Sequence, residues 1–247
     1  MAFSSVRLVR SVVLFTCLAG VCASAEIASA SEVAAAAENL PDASKLLEHM
    51  EAAYAAVNDY RTNVEKRTFR SDGSVEVEKF LYTFKKPKSI RIDLESPHKG
   101  MILIYTDKDG RVTVQPGGLA RLFKFHLAPD SRLLEDPSGQ RIDQTDIGLL
   151  INHIAHSLRD QRKGRAEIAE EDGYIRIRVL AVDHFRENVD TLYQFYIDKK
   201  QWLPGKVEEF TPDGEPKRSI VFKDLRINNG FADSLFQLDG AANQKNG

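Results

Sequence analysis

Residues 80–118 read FLYTFKKPKSIRIDLESPHKGMILIYTDKDGRVTVQPGG. Phe80, Tyr82 and Phe84 occupy one side of a period-two pattern, Leu81 and Thr83 the other. Pro87 interrupts the pattern, as proline does at a strand edge or a turn. Ile90, Ile92 and Leu94 then alternate with Arg91, Asp93 and Glu95, which is how a strand with one wet face reads. Two more apolar runs, 101–105 and 111–115, bracket Asp107-Lys108-Asp109-Gly110, a tight hairpin turn, and Pro116-Gly117-Gly118 ends the series. The stretch predicts a meander of antiparallel strands in a curved sheet with one greasy face. On that face the reading places Phe80, Tyr82, Phe84, Ile90, Ile92, Leu94, Ile102 and Ile104, joined by Phe123 and Phe125 from the segment that follows. Arg91, Asp93 and Glu95 are expected toward water.

Upstream, Pro41, Asp42 and Ser44 open a helix whose Leu46, Leu47, Met50, Ala53, Tyr54 and Val57 recur at helical spacing. A hairpin follows, with runs 60–69 and 75–85 around Ser71-Asp72-Gly73-Ser74. Downstream, Asp143 or Thr145 is expected to cap a second helix with an apolar stripe of Ile147, Leu150, Ile151, Ile154 and Leu158. Strand patterns resume at 166–170, 174–182, 191–197, 203–210 and 219–227. Many short strands in series with few helices predict an α+β fold. It is dominated by one large antiparallel sheet covered by two or three helices. Residues 41–238 read as a single domain, and 239–247 as a disordered tail.

The first 25 residues have a different composition. Arg7 and Arg10 precede an apolar run at 11–21, and Ala23-Ser24-Ala25 offers a cleavage site, so 1–25 read as a secretory signal peptide and 26–40 as a flexible lead-in. Cys22 follows Ala19-Gly20-Val21, a poor lipoprotein signal, so a soluble periplasmic protein is favoured over a lipid anchor at Cys22. Cys17 and Cys22 are the chain's two cysteines, so the mature chain has no disulfide, thiolate ligand or cysteine nucleophile. Loss of Arg7 and Arg10 takes the formal charge from −2 to −4, which argues against nucleic acid as a partner.

No catalytic device stands out. His153 and His156 could share a helix face with Asp160 in reach, but they read better as polar-face histidines beside the apolar stripe than as a metal site. There is no Gly-x-Ser-x-Gly elbow. Glu170-Glu171 and Glu208-Glu209 lie at strand ends, and Trp202 is the only tryptophan. No cofactor and no metal are expected. The greasy face of the meander fits an ordinary core as well as it fits an open cavity.

The block Tyr82-Thr83-Phe84-Lys85-Lys86-Pro87, then Ile90-Arg91-Ile92, then Pro97, resembles the periplasmic lipoprotein carriers of the LolA family. Gln201 to Glu208, with its Leu203-Pro204, and Asp233 to Phe236 add to the resemblance. The chain is similar to a divergent branch of a superfamily that also holds the RseB stress sensors. The resemblance implies a half-open antiparallel barrel around a cavity for a lipid or a lipoprotein acyl group, and it decides for the cavity. It implies a lid, here Leu47, Met50, Tyr54, Ile147 and Ile151, and a latch arginine before the proline, a position held here by Lys86. Lysine lacks the arginine fork, so an arginine-type latch does not carry over intact. The implied protein is a monomeric, non-catalytic carrier, with an envelope membrane protein as a further partner. The alternative is an RseB-like sensor that binds a partner protein.

Overall fold

The computed structural model describes residues 42–134, 139–160, 162 and 164–238. The expected signal peptide, lead-in and tail lie outside the described residues. Helix α1 (Ala43–Ala55) leads into β1 (Asp59–Phe69) and β2 (Val75–Lys85), and the meander continues through β3 (Ser89–Ser96), β4 (Ile102–Thr106), β5 (Val112–Gln115) and a short β6 (Phe125–Leu127). Helix α2 (Ile147–Arg159) crosses to a second meander, β7 (Glu167–Glu171), β8 (Tyr174–Val182), β9 (Asp190–Asp198), β10 (Pro204–Phe210) and β11 (Pro216–Ile227). The strands form one antiparallel 11-stranded sheet in the order β6-β5-β4-β3-β2-β1-β11-β10-β9-β8-β7, open at β6 and β7 rather than closed into a barrel.

Local chemistry places these elements. Asp72 accepts the Ser74 N–H at 2.9 Å and Gly73 takes φ +83°, so the β1–β2 turn uses the residues that tolerate it. Asp42 caps α1 by accepting the Ser44 N–H at 2.8 Å. Helix α2 is capped by Asp146, which accepts the Leu149 N–H at 3.0 Å, and not by the expected Asp143 or Thr145. Those two belong to the preceding turn, where the Thr145 hydroxyl donates to the Ile142 carbonyl at 2.7 Å.

Register assigns the two faces. Paired residues of neighbouring strands share a face. One row on the inner face runs Tyr60, Phe84, Ile90, Tyr105, Val112, Leu127, and the next runs Thr62, Tyr82, Ile92, Leu103, Val114, Phe125. Two expectations are corrected here. Ile104 pairs with Arg91 and Ile102 with Asp93, so both isoleucines point to the outer face. There they pack on Leu235, Phe236 and Phe231 of the C-terminal segment. The run Met101 to Tyr105 is apolar at every position, so it carries no phase of its own, and only pairing sets one. Arg91 does not face water either: it is 7% exposed. Its guanidinium donates to Asp93 at 2.7 and 2.8 Å and to the Leu235 carbonyl at 3.1 Å.

The helices pack on the inner face. Leu46 and Met50 of α1 and Ile147, Ile151 and Ile154 of α2 are buried in one cluster with Tyr60, Phe84 and Ile90. Gly148 lets the helices approach, because a Cβ there would sit 2.4 Å from the Tyr54 ring. Tyr54 is held in place by its hydroxyl, which donates to Asp146 at 3.3 Å. In an exposed helix Gly→Ala stabilises by about 1 kcal/mol. Here the clash reverses the sign, and Gly148→Ala is expected to lower the unfolding free energy by about 1–2 kcal/mol, read from the urea midpoint at constant m-value.

Candidate functional site

A cavity of about 620 Å³ opens on the inner face between the β1–β6 half of the sheet, the segment before α2 and the wall formed by β9–β11. Phe125 of β6 and Phe195 of β9 both line it. Eight strand steps separate them in the sheet, about 38 Å if the sheet were flat at about 4.8 Å per step. Only a strongly curled sheet brings them to one space. Tyr82, Ile92, Leu103, Val114 and Phe125, the second inner row, form one side. Val207, Ile220 and Phe222 form the other.

Of the residues expected to line a cavity, Phe80, Tyr82, Ile92, Leu94 and Phe125 do so. Phe84 and Ile90 belong to the first inner row and are buried against the helices instead. Ile102 and Ile104 lie on the outer face, and Phe123 is exposed to solvent. None of the five expected lid residues, Leu47, Met50, Tyr54, Ile147 and Ile151, lines the cavity. They join the helices to the first inner row, and the cavity is bordered by Leu133, Leu134, Gln140, Ile142 and Gln144 of the segment before α2. Lys86 ties down the end of α1. Its ammonium donates to the carbonyls of Tyr54 and Ala55 at 2.9 and 3.3 Å and lies 4.6 Å from the centre of the Tyr54 ring.

Sequence reasoning overlooked the wall from the second meander and the polar groups set in it. Ile220 and Phe222 stand two apart in β11, a readable one-face signal, but nothing local says that this face meets Ile92. Lys66 pairs with Glu78, and Arg218 with Glu209 at 2.6 and 3.1 Å; all four line the cavity. Arg218 also donates to Gln140 at 3.2 Å, linking β11 to the bordering segment. These cations are legible only once the ladder turns their side inward.

The polar groups of the cavity include Tyr82, Thr145 and Asp146, whereas Tyr60 and Tyr54 do not line it. Tyr60 accepts the Ile147 N–H at 3.0 Å, and Tyr82 meets the Thr145 hydroxyl at 3.0 Å. Burial pushes the pKa of Tyr60, Tyr82 and Tyr54 up, so these hydroxyls stay neutral. They supply no base.

The histidines expected to share a polar face of α2 part company. His156 is exposed, whereas His153 lines the cavity and stacks on His184, with ring centres 4.3 Å apart and planes 9° apart. His184 Nε2 lies 3.0 Å from the Ser157 hydroxyl, and its ring also stacks on Tyr193 at 4.8 Å. Burial, reinforced by the neighbouring His153, pushes His184 down to about 3; burial also lowers His153.

No protein-family model matches the sequence, and no curated protein matches it. Solved structures do. The chain is similar in structure to a DUF1329 family protein from Desulfovibrio piger, at 12% identity over 80% of this chain and 96% of that one, with a TM-score of 0.47. It is similar to a LolA superfamily protein from Nitrosomonas europaea, at 13% identity over 81% and 99% of the two chains, with a TM-score of 0.37. The MucA/MucB complex of Pseudomonas aeruginosa gives 16% identity over 80% and 61%, with a TM-score of 0.43.

The histidine pair yields a pH dependence. The unfolded chain protonates these imidazoles near 6.5, whereas the fold holds His184 neutral and shifts His153 the same way. Between pH 6.5 and 5 the unfolded state therefore binds more protons, and stability falls on acidification by up to about 1.4 kcal/mol per pH unit from His184, with His153 adding a loss in the same direction. Urea unfolding at the two pH values should show this loss, and His184→Gln should remove part of it. Equal wild-type stability at both values would refute the account.

Proposed function

We propose that the protein is exported to the cell envelope and holds a lipid, or the acyl group of a lipoprotein, in the inner-face cavity without carrying out chemistry on it. Export rests on the composition of residues 1–25. The observation that carries the binding reading is the second inner row. Tyr82, Ile92, Leu103, Val114 and Phe125 turn apolar surface toward a space of about 620 Å³ that the helices leave unfilled. Small-molecule sites of about 300–1,000 Å³, mostly apolar with a few placed polar groups, are the usual size and kind. Burying an acyl chain of about 12–16 carbons at about 0.8 kcal/mol per methylene would contribute roughly 10–13 kcal/mol before ordering costs. The Lys66–Glu78 and Arg218–Glu209 pairs supply the polar side of the wall against which a headgroup or linker would lie. His184, with its pKa pushed down to about 3, is a weak base near neutral pH, which suits a holder rather than a hydrolase. Lys86, at the latch position, fixes α1 to the sheet while the border of the cavity is formed by the segment before α2.

Mass spectrometry of organic extracts of protein purified from its own envelope should find a co-purifying lipid. Adding an acyl ligand to delipidated protein at about a hundred times its Kd should raise the Tm by roughly 5–10 °C. Leu94→Trp, which fills the cavity from a half-buried position, should abolish that shift while leaving the far-ultraviolet circular dichroism unchanged. No lipid in the extract together with no thermal shift would defeat the proposal.

A further inference from the structure

Residues 118–126, which lead from β5 into β6, read GLARLFKFH. Gly118 to Leu122 form a 3₁₀ turn, in which residues three apart eclipse, so Leu119 and Leu122 stand on one face. Leu119 is 100% exposed and Leu122 90%. Phe123, Phe125 and Leu133 are exposed beside them in sequence, and elsewhere among the described residues only Val75, Val189 and Ile227 are exposed large hydrophobics. A concentration of this kind differs from single apolar residues scattered over a surface.

The segment is anchored in this arrangement. Gly117 backs onto the Lys99 carbonyl so closely that a Cβ would lie 2.2 Å from it, and Gly118 takes φ +61°. Gln115 donates its side-chain amide to the Arg121 carbonyl at 2.8 Å, and the Phe123 N–H donates to Ala120 at 3.0 Å. The leucines therefore point outward from a pinned turn.

Charge says what they meet. Arg121 and Lys124 interleave with the apolar side chains, and Arg111 donates to the His126 carbonyl at 3.3 Å, bringing a third cation alongside. No Asp or Glu occurs between Asp109 and Asp130, in a chain whose formal net charge is −2. Exposed leucine and phenylalanine set among cations fit the interface of an anionic bilayer, where apolar side chains enter the acyl boundary and cations meet phosphates. Phe125 and Leu133 also line the cavity, so the patch borders its mouth.

We propose that residues 119–125 seat the protein on an anionic lipid bilayer, with Leu119, Leu122 and Phe123 in the interfacial layer and Arg121 and Lys124 on lipid phosphates. This goes beyond the cavity reading and stands without it.

The test uses protein purified from cells expressing the full-length sequence, its N-terminus checked by intact mass and identical in every variant. Flotation with vesicles of equal parts phosphatidylglycerol and phosphatidylcholine should recover the protein, and phosphatidylcholine alone should recover far less. The double variant Leu119→Ser, Leu122→Ser should weaken partitioning by about tenfold or more. Arg121→Gln and Lys124→Gln should each weaken it by about fivefold, and added salt should act in the same direction. Leu94→Trp should leave flotation unchanged while losing acyl-ligand binding, which separates this inference from the cavity reading. Failure to float with anionic vesicles would overturn the proposal. So would wild-type flotation by the double leucine variant, or a wild-type dimer in sedimentation that the leucine variant dissociates while vesicles recover neither form.

Discussion

Strands β1 and β11 lie near opposite ends of the described chain, and their antiparallel pairing, from Tyr60 with Ile227 to Thr68 with Arg218, joins two meanders into one sheet. Without it β1–β6 and β7–β11 would be separate sheets, each with an apolar face to cover. With it, the inner faces are continuous and the sheet curls until Phe125 and Phe195 border the same space. Two helices must then cover a face that is wider than they are. They reach the first inner row, Tyr60, Phe84 and Ile90, which is buried, and leave the second row beside the cavity. The cavity is thus a consequence of sheet width against helix number.

Polar groups hold this geometry in place. The N-terminus of α2 is tied to the sheet because Tyr60 accepts from Ile147 and Asp146 bonds Tyr54 of α1. At the start of β1, the Asp59 carboxylate accepts backbone N–H bonds from Asn229, Gly230 and Phe231 at 2.6, 2.9 and 3.2 Å. This turns the chain after β11 across the outer face, where Leu235 and Phe236 cover Ile104 and Arg91 reaches the Leu235 carbonyl. Each of these buried groups has a partner across a large sequence separation, and an unpaired one would cost about 1–3 kcal/mol. The same principle gives the cavity wall its paired ions instead of bare charges.

Much of the site could be read from the chain, and the failures have specific causes. Phe80, Tyr82, Ile92 and Leu94 were legible because each alternates with a polar or distinct neighbour, so their phase is written locally. Ile102 and Ile104 were misplaced because MILIY is apolar throughout and gains a phase only from pairing with Arg91 and Asp93. Arg91 was expected in water because a charge in an alternating strand normally is. It is buried because a segment some 140 residues later folds over it. Lys66, Glu78 and Arg218 drew no reading of their own and Glu209 only that of a strand end, since no local signal marks which side of a long antiparallel strand will be enclosed.

The sequence by itself determined the strand and helix series, the α+β class, the hairpin turns and the anchored greasy face of β2 and β3. These depend on periodicity and turn chemistry within a few residues. Only the tertiary structure decided that β1 pairs with β11, that α1 and α2 cover one inner row and not the next, and that Leu119 and Leu122 stand exposed. Those outcomes depend on contacts between distant segments competing for one apolar face. Such a competition is settled by area and register across the whole sheet, and it leaves no trace in any local stretch of residues.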